Sequence, residues 1–238
     1  MLNETCSWAK RLKSKTLLFK VDFEKAFDCL SWSFLDSIME QMQFGENWRS
    51  WIRACLKSTR ASVLVNGSAT DEFPISRGVR QGDPLSPFLF ILAMEGLHIT
   101  MLEAANKGFF QGISMPNNGP VLSHFMFADD VIFLGNSCRS NVVNLTRILR
   151  CFHIASGLKV NFSKSKVFGL GVHDDELQNF SSFLKCGNAK VPFTYLGVTV
   201  GANMGLIRNW KPVIDKISSK LSIWKGKNLS LGGKGNSL

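Results

Sequence analysis

Three acidic residues stand out by where they sit. Asp22 ends the apolar run Leu17-Leu18-Phe19-Lys20-Val21, and Asp129-Asp130 separates Phe125-Met126-Phe127 from Val131-Ile132-Phe133. Adjacent carboxylates repel, and partial burial raises that cost. A divalent cation held by both relieves it. Mg²⁺ takes few protein ligands, prefers carboxylate oxygen and leaves its other positions to water and phosphate. A third carboxylate from a neighbouring strand would let two ions bind side by side, the arrangement used for in-line displacement at phosphorus. The bland alternative is structural. Asp is a common turn residue, and Asp22 alone could cap a strand end. The apolar flanks favour chemistry, because turns without a function are usually more polar.

The elements around these acids follow from periodicity and punctuation. Leu17 to Asp22 reads as a buried strand. Ser31 to Met42 and Asn47 to Lys57 carry apolar residues at helical spacing, with Ser31 or Ser33 able to cap the first. Ala61–Val65 and Thr70–Ile75 flank Asn66-Gly67, a strong hairpin signal. Arg77 to Pro87 holds two glycines and two prolines and reads as a loop. Ser86-Pro87 then opens an apolar helix to about Ala105, with Ser86 as cap. Val121–Phe127 and Val131–Leu134 form a second hairpin with Asp129-Asp130 at its tip. Asn141 to Ala155 is helical and ends at Gly157. Val167–Leu170 and Phe193–Leu196 read as strands, and Ile207–Trp224 as a basic amphipathic helix. Helices mixed with hairpins predict an α+β fold.

Composition narrows the partners. The 238 residues carry a net charge of +10. Residues 1–20 hold five basic residues against Glu4, and residues 204–238 hold seven against Asp215, so the ends account for the whole surplus. The stretch between is balanced. Basic ends seek an anionic partner such as nucleic acid. The longest apolar run, Phe88 to Met94, is far short of the roughly 20 residues of a membrane span, so no membrane partner is expected. The six cysteines include no CxxC pair, which argues against a zinc knuckle or a disulfide scaffold. Cys151 and His153 alone do not make a metal site. Residues 1–20 lack the apolar core of a secretory signal, and with free thiols this predicts an intracellular setting.

Five segments in order carry a family resemblance. Phe127-Ala128-Asp129-Asp130 resembles the aromatic-x-Asp-Asp box of reverse transcriptases. The run from Phe19 to Asp28 resembles their first aspartate motif, and Arg77 to Pro87 the motif between the two. Ser156 to Lys164 resembles the fourth motif, and Phe193-Thr194-Tyr195-Leu196-Gly197 the primer grip. The set covers about residues 17–200, and its wording is closest to non-LTR (LINE-type) retroelements, particularly those of plants. The resemblance implies a polymerase palm with incomplete fingers and the start of a thumb. The expected division is a palm with partial fingers over 1–200 and a basic thumb start over 201–238. Only 21 residues precede Asp22, so the chain reads as the middle of something longer, weak or inactive by itself.

The resemblance also implies roles. Two Mg²⁺ ions, with Mn²⁺ as a substitute, would be held by Asp22 and Asp129, with Asp130 assisting and the Phe23 carbonyl contributing. A DNA primer paired to an RNA template would attack a deoxynucleoside triphosphate. Phe27 matches an aromatic gate against the ribose 2′-hydroxyl, or is a core phenylalanine. Gln81 and Gly82 match a loop that contacts nucleotide and template, and can equally be a plain turn. Lys164 matches a lysine that protonates the leaving pyrophosphate; Lys166 competes, and either can be merely solvated. Tyr195, Leu196 and Gly197 would hold the primer end. Arg208, Lys211, Lys216 and Lys220 suit phosphate contacts. The family's place of work is the nucleus. A catalytically inactive remnant, binding nucleic acid through its basic ends, is the alternative. A two-metal nuclease would share the acids but leave Gln81-Gly82 and Tyr195-Leu196-Gly197 unexplained. Oligomeric state is not legible.

Overall fold

The computed structural model describes residues 1–117 and 119–228, with 222–228 described by backbone alone. The Gly232-Gly233-Lys234-Gly235 segment lies outside the described residues. In chain order, α1 (Leu2–Arg11) precedes β1 (Thr16–Val21), a one-turn α2 (Ala26–Cys29), α3 (Trp32–Gln41) and α4 (Glu46–Lys57). Four short strands follow: β2 (Arg60–Ala61), β3 (Leu64–Val65), β4 (Ser68–Ala69) and β5 (Phe73–Pro74). Next come α5 (Ser86–Asn106), β6 (Ile113–Ser114), β7 (Val121–Leu122), β8 (His124–Phe127), β9 (Asp130–Asn136) and α6 (Arg139–Ser156). The chain continues through β10 (Lys166–Leu170), α7 (Asp174–Leu184), β11 (Gly187–Ala189), β12 (Phe193–Tyr195), β13 (Val198–Val200) and α8 (Lys211–Asn228). It divides into two compact units, one of Trp8–Ala189 and one of Met1–Ser7 with Lys190 onward. The division falls before β12.

The larger unit is built on a five-stranded sheet in the order β11-β10-β1-β9-β8. All pairs are antiparallel except β10 with β11. β1 is central, and this explains why its sequence is apolar without alternation. Leu17, Phe19 and Val21 lie on one face and Leu18 on the other, and all are buried. The first face, with Val131, Phe133 and Val167, meets apolar side chains of α3, α5 and α6 in one core. Leu35 and Met39, Phe90 and Leu97, and Leu145 and Leu149 are among them, all under 4% exposed.

Several expected elements shift for identifiable reasons. The first hairpin has its Asn66-Gly67 turn with both φ angles positive, as a type I′ turn requires. Its strands do not run through: Leu64 and Val65 pair Ala69 and Ser68, then Arg60 and Ala61 pair Pro74 and Phe73. Two residues on one side oppose three on the other, so the ladder breaks as at a bulge. The expected strand 121–127 changes partner at Ser123, with β7 pairing β6 and β8 pairing β9. Ser86 is not the cap of α5. It sits buried inside the first turn, and Asp83 Oδ1 accepts the Leu85 N–H at 2.8 Å instead. The basic helix starts at Lys211 after a 3₁₀ turn over Ile207–Asn209. Pro212 supplies the reason, since proline fits only the first helical turn. Gly157 does end α6, in the left-handed conformation, with its N–H on His153 O. Helix α5 corrects the reading from apolar runs. By length and composition it could cross a membrane. Nine of its residues are buried in the core, the mark of a central helix.

Two polar contacts pin the helical layer. Arg49 of α4 donates Nε and Nη2 to the two oxygens of Asp36 on α3, at 3.0 and 2.9 Å, and Nη1 to Glu40 at 2.8 Å. These hydrogen bonds hold the Asp36 carboxyl below its usual range. Arg53 joins Asp36 and Glu46. Between α5 and β8, His98 Nδ1 and His124 Nε2 are 2.7 Å apart, and Ser123 Oγ meets His124 Nδ1 at 2.8 Å. Burial first, and the nearby His98 second, push His124 down to about 4.

We expect Arg49→Ala to lower the urea midpoint of unfolding, because Asp36 loses its paired donors. Arg49→Lys restores little, since an ammonium cannot reproduce the fork. The depressed His124 sets a pH dependence. Between pH 6.5 and 4 the unfolded chain binds a proton that the folded chain refuses, so stability falls as pH falls through that window. The loss is about 2–3 kcal/mol by pH 4, and a His124→Asn variant loses this part of the slope.

Candidate active site

Register decides where the acids meet. Val21 of β1 pairs Val131 of β9, and the next residues outward on the two strands are Asp22 and Asp130. Asp130 also pairs Phe127 across the β8–β9 hairpin. The expected tip therefore shifts by one residue: Ala128 and Asp129 form the turn, and Asp130 is already in strand. Ala128 holds φ +53. A Cβ in that region costs roughly 1–2 kcal/mol, a strain kept by the paired strands on either side. Asp22 and Asp129 are exposed, and neither has an ion-pair partner among the described residues. Asp130 is partly exposed and lies 3.8 Å from Lys20 Nζ.

The carboxylate oxygens of Asp22, Asp129 and Asp130 are hard donors, chemically suited to Mg²⁺ or Mn²⁺. Among the described residues no group of three His, Cys, Asp or Glu side chains is gathered tightly enough to hold an ion by itself. Any ion held by these acids would have to complete its coordination with ligands from outside the chain.

The segment after α6 wraps the end of β1. Asn161 N–H donates to Asp22 O at 2.8 Å, and Glu24 N–H to Lys159 O at 2.8 Å. Phe23 and Val160 therefore form a bridge of the non-hydrogen-bonded kind, which turns the Phe23 N–H and C=O away from 159–161. The Phe23 side chain is buried against Phe152. Lys159 and Glu24 close the outside with an ion pair at 3.0 Å. Lys164 is exposed on the turn that follows. Lys166 is exposed on β10 directly opposite Lys20, on the sheet face that also carries Asp22.

A second strap joins Phe27 to the glycine-containing loop. Val79 N–H donates to Phe27 O and Gly78 N–H to Leu30 O, both at 2.7 Å. Trp32 Nε1 donates to Gly78 O at 2.7 Å. Gly78 has φ +82, and a Cβ there would lie 2.5 Å from the Asp28 carbonyl oxygen, so only glycine allows the approach. Phe27 is half-buried, its ring stacked on Phe90 with centroids 4.7 Å apart. A cleft of about 420 Å³ opens beside this strap. Its polar lining includes Asp28, Arg77, Arg80, Gln81 and Asp83. Gly82, at φ +90, has open space where a side chain would stand.

In the smaller unit, Tyr195 pairs Val198 and is buried, while Leu196-Gly197 makes the two-residue turn between β12 and β13. Both turn residues have positive φ. The turn meets α8: a Cβ on Gly197 would lie 2.9 Å from Lys216 Nζ. The structure thus joins Gly197 and a basic residue that sequence spacing left unrelated. Arg208, Lys211 and Lys220 are exposed and are not brought to that turn by any contact among the described residues. Asn3 ties the first turn of α1 to β13, donating to Thr199 O and accepting from Gly201 N–H.

Sequence reading gave no individual role to Gly78, Trp32, Asn161 or Ser165. Asn161-Phe162-Ser163-Lys164-Ser165 did carry a signal, because Asn and Ser favour side-chain-to-backbone turns.

Comparison with known proteins agrees with this architecture. The family profile described as reverse transcriptase (RNA-dependent DNA polymerase) matches residues 2–200. A transposon TX1 149 kDa protein of Xenopus laevis is 28% identical, over 98% of this chain and 18% of its own length. The Pol polyprotein of an R2 retrotransposable element from Popillia japonica is 28% identical, over 92% of this chain and 30% of its own. This chain therefore spans less than a third of either relative. An apo telomerase of Candida tropicalis shares the fold at a TM-score of 0.56, with 13% identity over 84% of this chain and 38% of its own. A Candida albicans telomerase, solved with a fragment of telomeric RNA, does so at 0.56 with 14% identity over 92% of this chain and 36% of its own. The palm sheet, the acids at one end of β1 and β9, and a profile match across both straps make this chain a member of the reverse transcriptase family, of the kind found in non-LTR retrotransposons.

Proposed function

We propose that this chain supplies the palm chemistry of an RNA-directed DNA polymerase, adding deoxynucleotides to a primer 3′-hydroxyl. The observation that carries the reading is the β1–β9 register, which brings Asp22 alongside Asp130 and next to the Ala128-Asp129 turn. The family uses divalent metal ions. Asp22 and Asp129 would hold two Mg²⁺ ions, with Asp130 assisting and the Phe23 carbonyl contributing. When bound, the ions supply charge for activating the attacking oxygen and stabilising the leaving one.

The chain's own residues divide the remaining work. The primer 3′-oxygen forms a bond to the α-phosphorus, the bond to pyrophosphate breaks, and the hydroxyl proton leaves to solvent. Lys164 donates a proton to the departing pyrophosphate, with Lys166 as the competing donor. Phe27, held against Phe90, stands where a ribose 2′-hydroxyl would clash. Gln81 and Gly82 contact the incoming nucleotide and the template base. Tyr195, Leu196 and Gly197 hold the primer end. Lys216 beside them, with Arg208, Lys211 and Lys220, meets backbone phosphates and makes binding salt-dependent. The partners are then an RNA template, a DNA primer and deoxynucleoside triphosphates, and the place of work is the nucleus.

Primer extension on an RNA template tests the reading. We expect weak Mg²⁺-dependent extension by this chain, reduced at least about 100-fold by Asp129→Asn. Extension untouched by that substitution would refute the role of Asp129. Failure of the unsubstituted chain to extend, with nucleic-acid binding kept, would favour an inactive remnant. Phe27→Val should raise ribonucleotide use relative to deoxynucleotide by about tenfold or more. An unchanged preference would return Phe27 to the core alone.

A further inference from the structure

Asp22 lies one residue beyond the last rung of β1, where the sheet ladder no longer holds it. Its backbone is nevertheless held on both sides. Its N–H donates to Ser165 Oγ at 3.1 Å, and its C=O accepts from Asn161 N–H at 2.8 Å. Ser165 is 1% exposed, and its hydroxyl donates in turn to Asn161 O at 2.7 Å. Both capacities of that hydroxyl are therefore used, one on Asp22 and one on the turn. The turn has its own internal frame. Asn161 Oδ1 accepts from Ser163 Oγ at 2.7 Å and from Lys164 N–H at 3.2 Å. Ser165 is anchored from the other end too, because the next residue, Lys166, begins β10 opposite Lys20.

We propose that Ser165, within the Asn161–Ser165 turn, is a positioning residue that sets the backbone of Asp22 and so aims its carboxylate at the shared metal site. The proposal rests on the reading of Asp22 as a metal ligand. A carboxylate on a strand end can swing by rotation of its own φ and ψ. Two backbone hydrogen bonds to a buried turn remove that freedom before any ion arrives, and preorganised ligands bind more tightly than mobile ones. The same turn carries Lys164, so one frame relates that lysine to Asp22. Alanine at 165 would leave the Asp22 N–H without its acceptor. Threonine keeps the hydroxyl. Cysteine keeps the shape but accepts weakly.

The test reads metal binding, so it does not depend on turnover. Mn²⁺ is titrated into the full chain, with free ion followed by electron paramagnetic resonance, for the unsubstituted protein, Ser165→Ala, Ser165→Cys, Ser165→Thr and Asp22→Asn. Amide hydrogen exchange at Asp22 is measured alongside, with Phe133 in the sheet core as reference. We expect Ser165→Ala and Ser165→Cys to raise the half-saturating Mn²⁺ concentration about tenfold while Ser165→Thr stays near the unsubstituted value. Exchange at Asp22 should quicken in Ala and Cys, and Phe133 should not change. If Ala does not fold, Cys is read in its place. Unchanged Mn²⁺ affinity in Ala or Cys, with Asp22→Asn weakened, overturns the proposal and leaves the metal reading intact. If Asp22→Asn binds Mn²⁺ as well as the unsubstituted chain, the metal reading fails, and with it the aiming of Asp22 at a metal. Exchange at Asp22 unchanged by the loss of the hydroxyl overturns the proposal independently.

Discussion

The pairing of β1 with β9 is the constraint on which the rest depends. Six consecutive residue pairs, from Thr16 with Asn136 to Val21 with Val131, fix the two strands against each other. Both strands are buried on both faces through most of that length. A slip by one residue would exchange the faces of every side chain and break the core on each side at once. The cost of slipping is what holds Asp22 and Asp130 at the same level. The position of the acids is thus a consequence of apolar packing several residues away, and they need not attract one another to meet. Indeed they repel, and Lys20 at 3.8 Å from Asp130 offsets part of that.

Two straps extend this fixed end into a site, and both work through main-chain atoms. The 77–79 segment binds the backbone of 27–30, so Phe27 and the Gln81-Gly82 loop share one frame. The 159–165 segment binds the backbone of 22–24, so Asp22 and Lys164 share another. Backbone bonds leave side chains free to face substrate. They also tolerate change in the residues strapped, except where approach is too close for a Cβ, as at Gly78. Lys25, just after Asp22, holds a positive φ, and the Ala128-Asp129 turn likewise holds a non-glycine residue at a positive φ beside the acids. The strain there is sustained by the ladder on either side of it.

Much of the fold was legible because its signals are local. The β1 run, the α3 and α4 periodicities, the Asn66-Gly67 turn and the Gly157 stop each depend on residues within one element. The first turn of α5 was misread because Ser86 and Asp83 compete for the same capping task, and packing of Ser86 into the core decided between them. The split of 121–127 at Ser123 was hidden because a change of partner leaves no mark in an apolar run. Helix α1, helix α7 and strand β11 were missed. β11, Gly187-Asn188-Ala189, has weak strand propensity and exists because β10 offers it a parallel edge. Of the site, the acids, Phe27 and the Gln81-Gly82 loop were visible as motifs, whereas Ser165 looked like any small polar residue.

By itself the sequence determined which groups are present and in what order. Three carboxylates border apolar strands, a glycine-containing loop lies between them, and the charge surplus sits at the chain ends. Those are properties of residue type and spacing. Only the tertiary structure decided that Asp130 belongs to the strand and Asp129 to the turn, that Gly197 meets Lys216, and that a buried serine 143 residues away holds the Asp22 amide. Each of these joins residues distant along the chain through a backbone or side-chain contact of a few ångströms. Such contacts depend on register and packing, which no local pattern of residue types encodes.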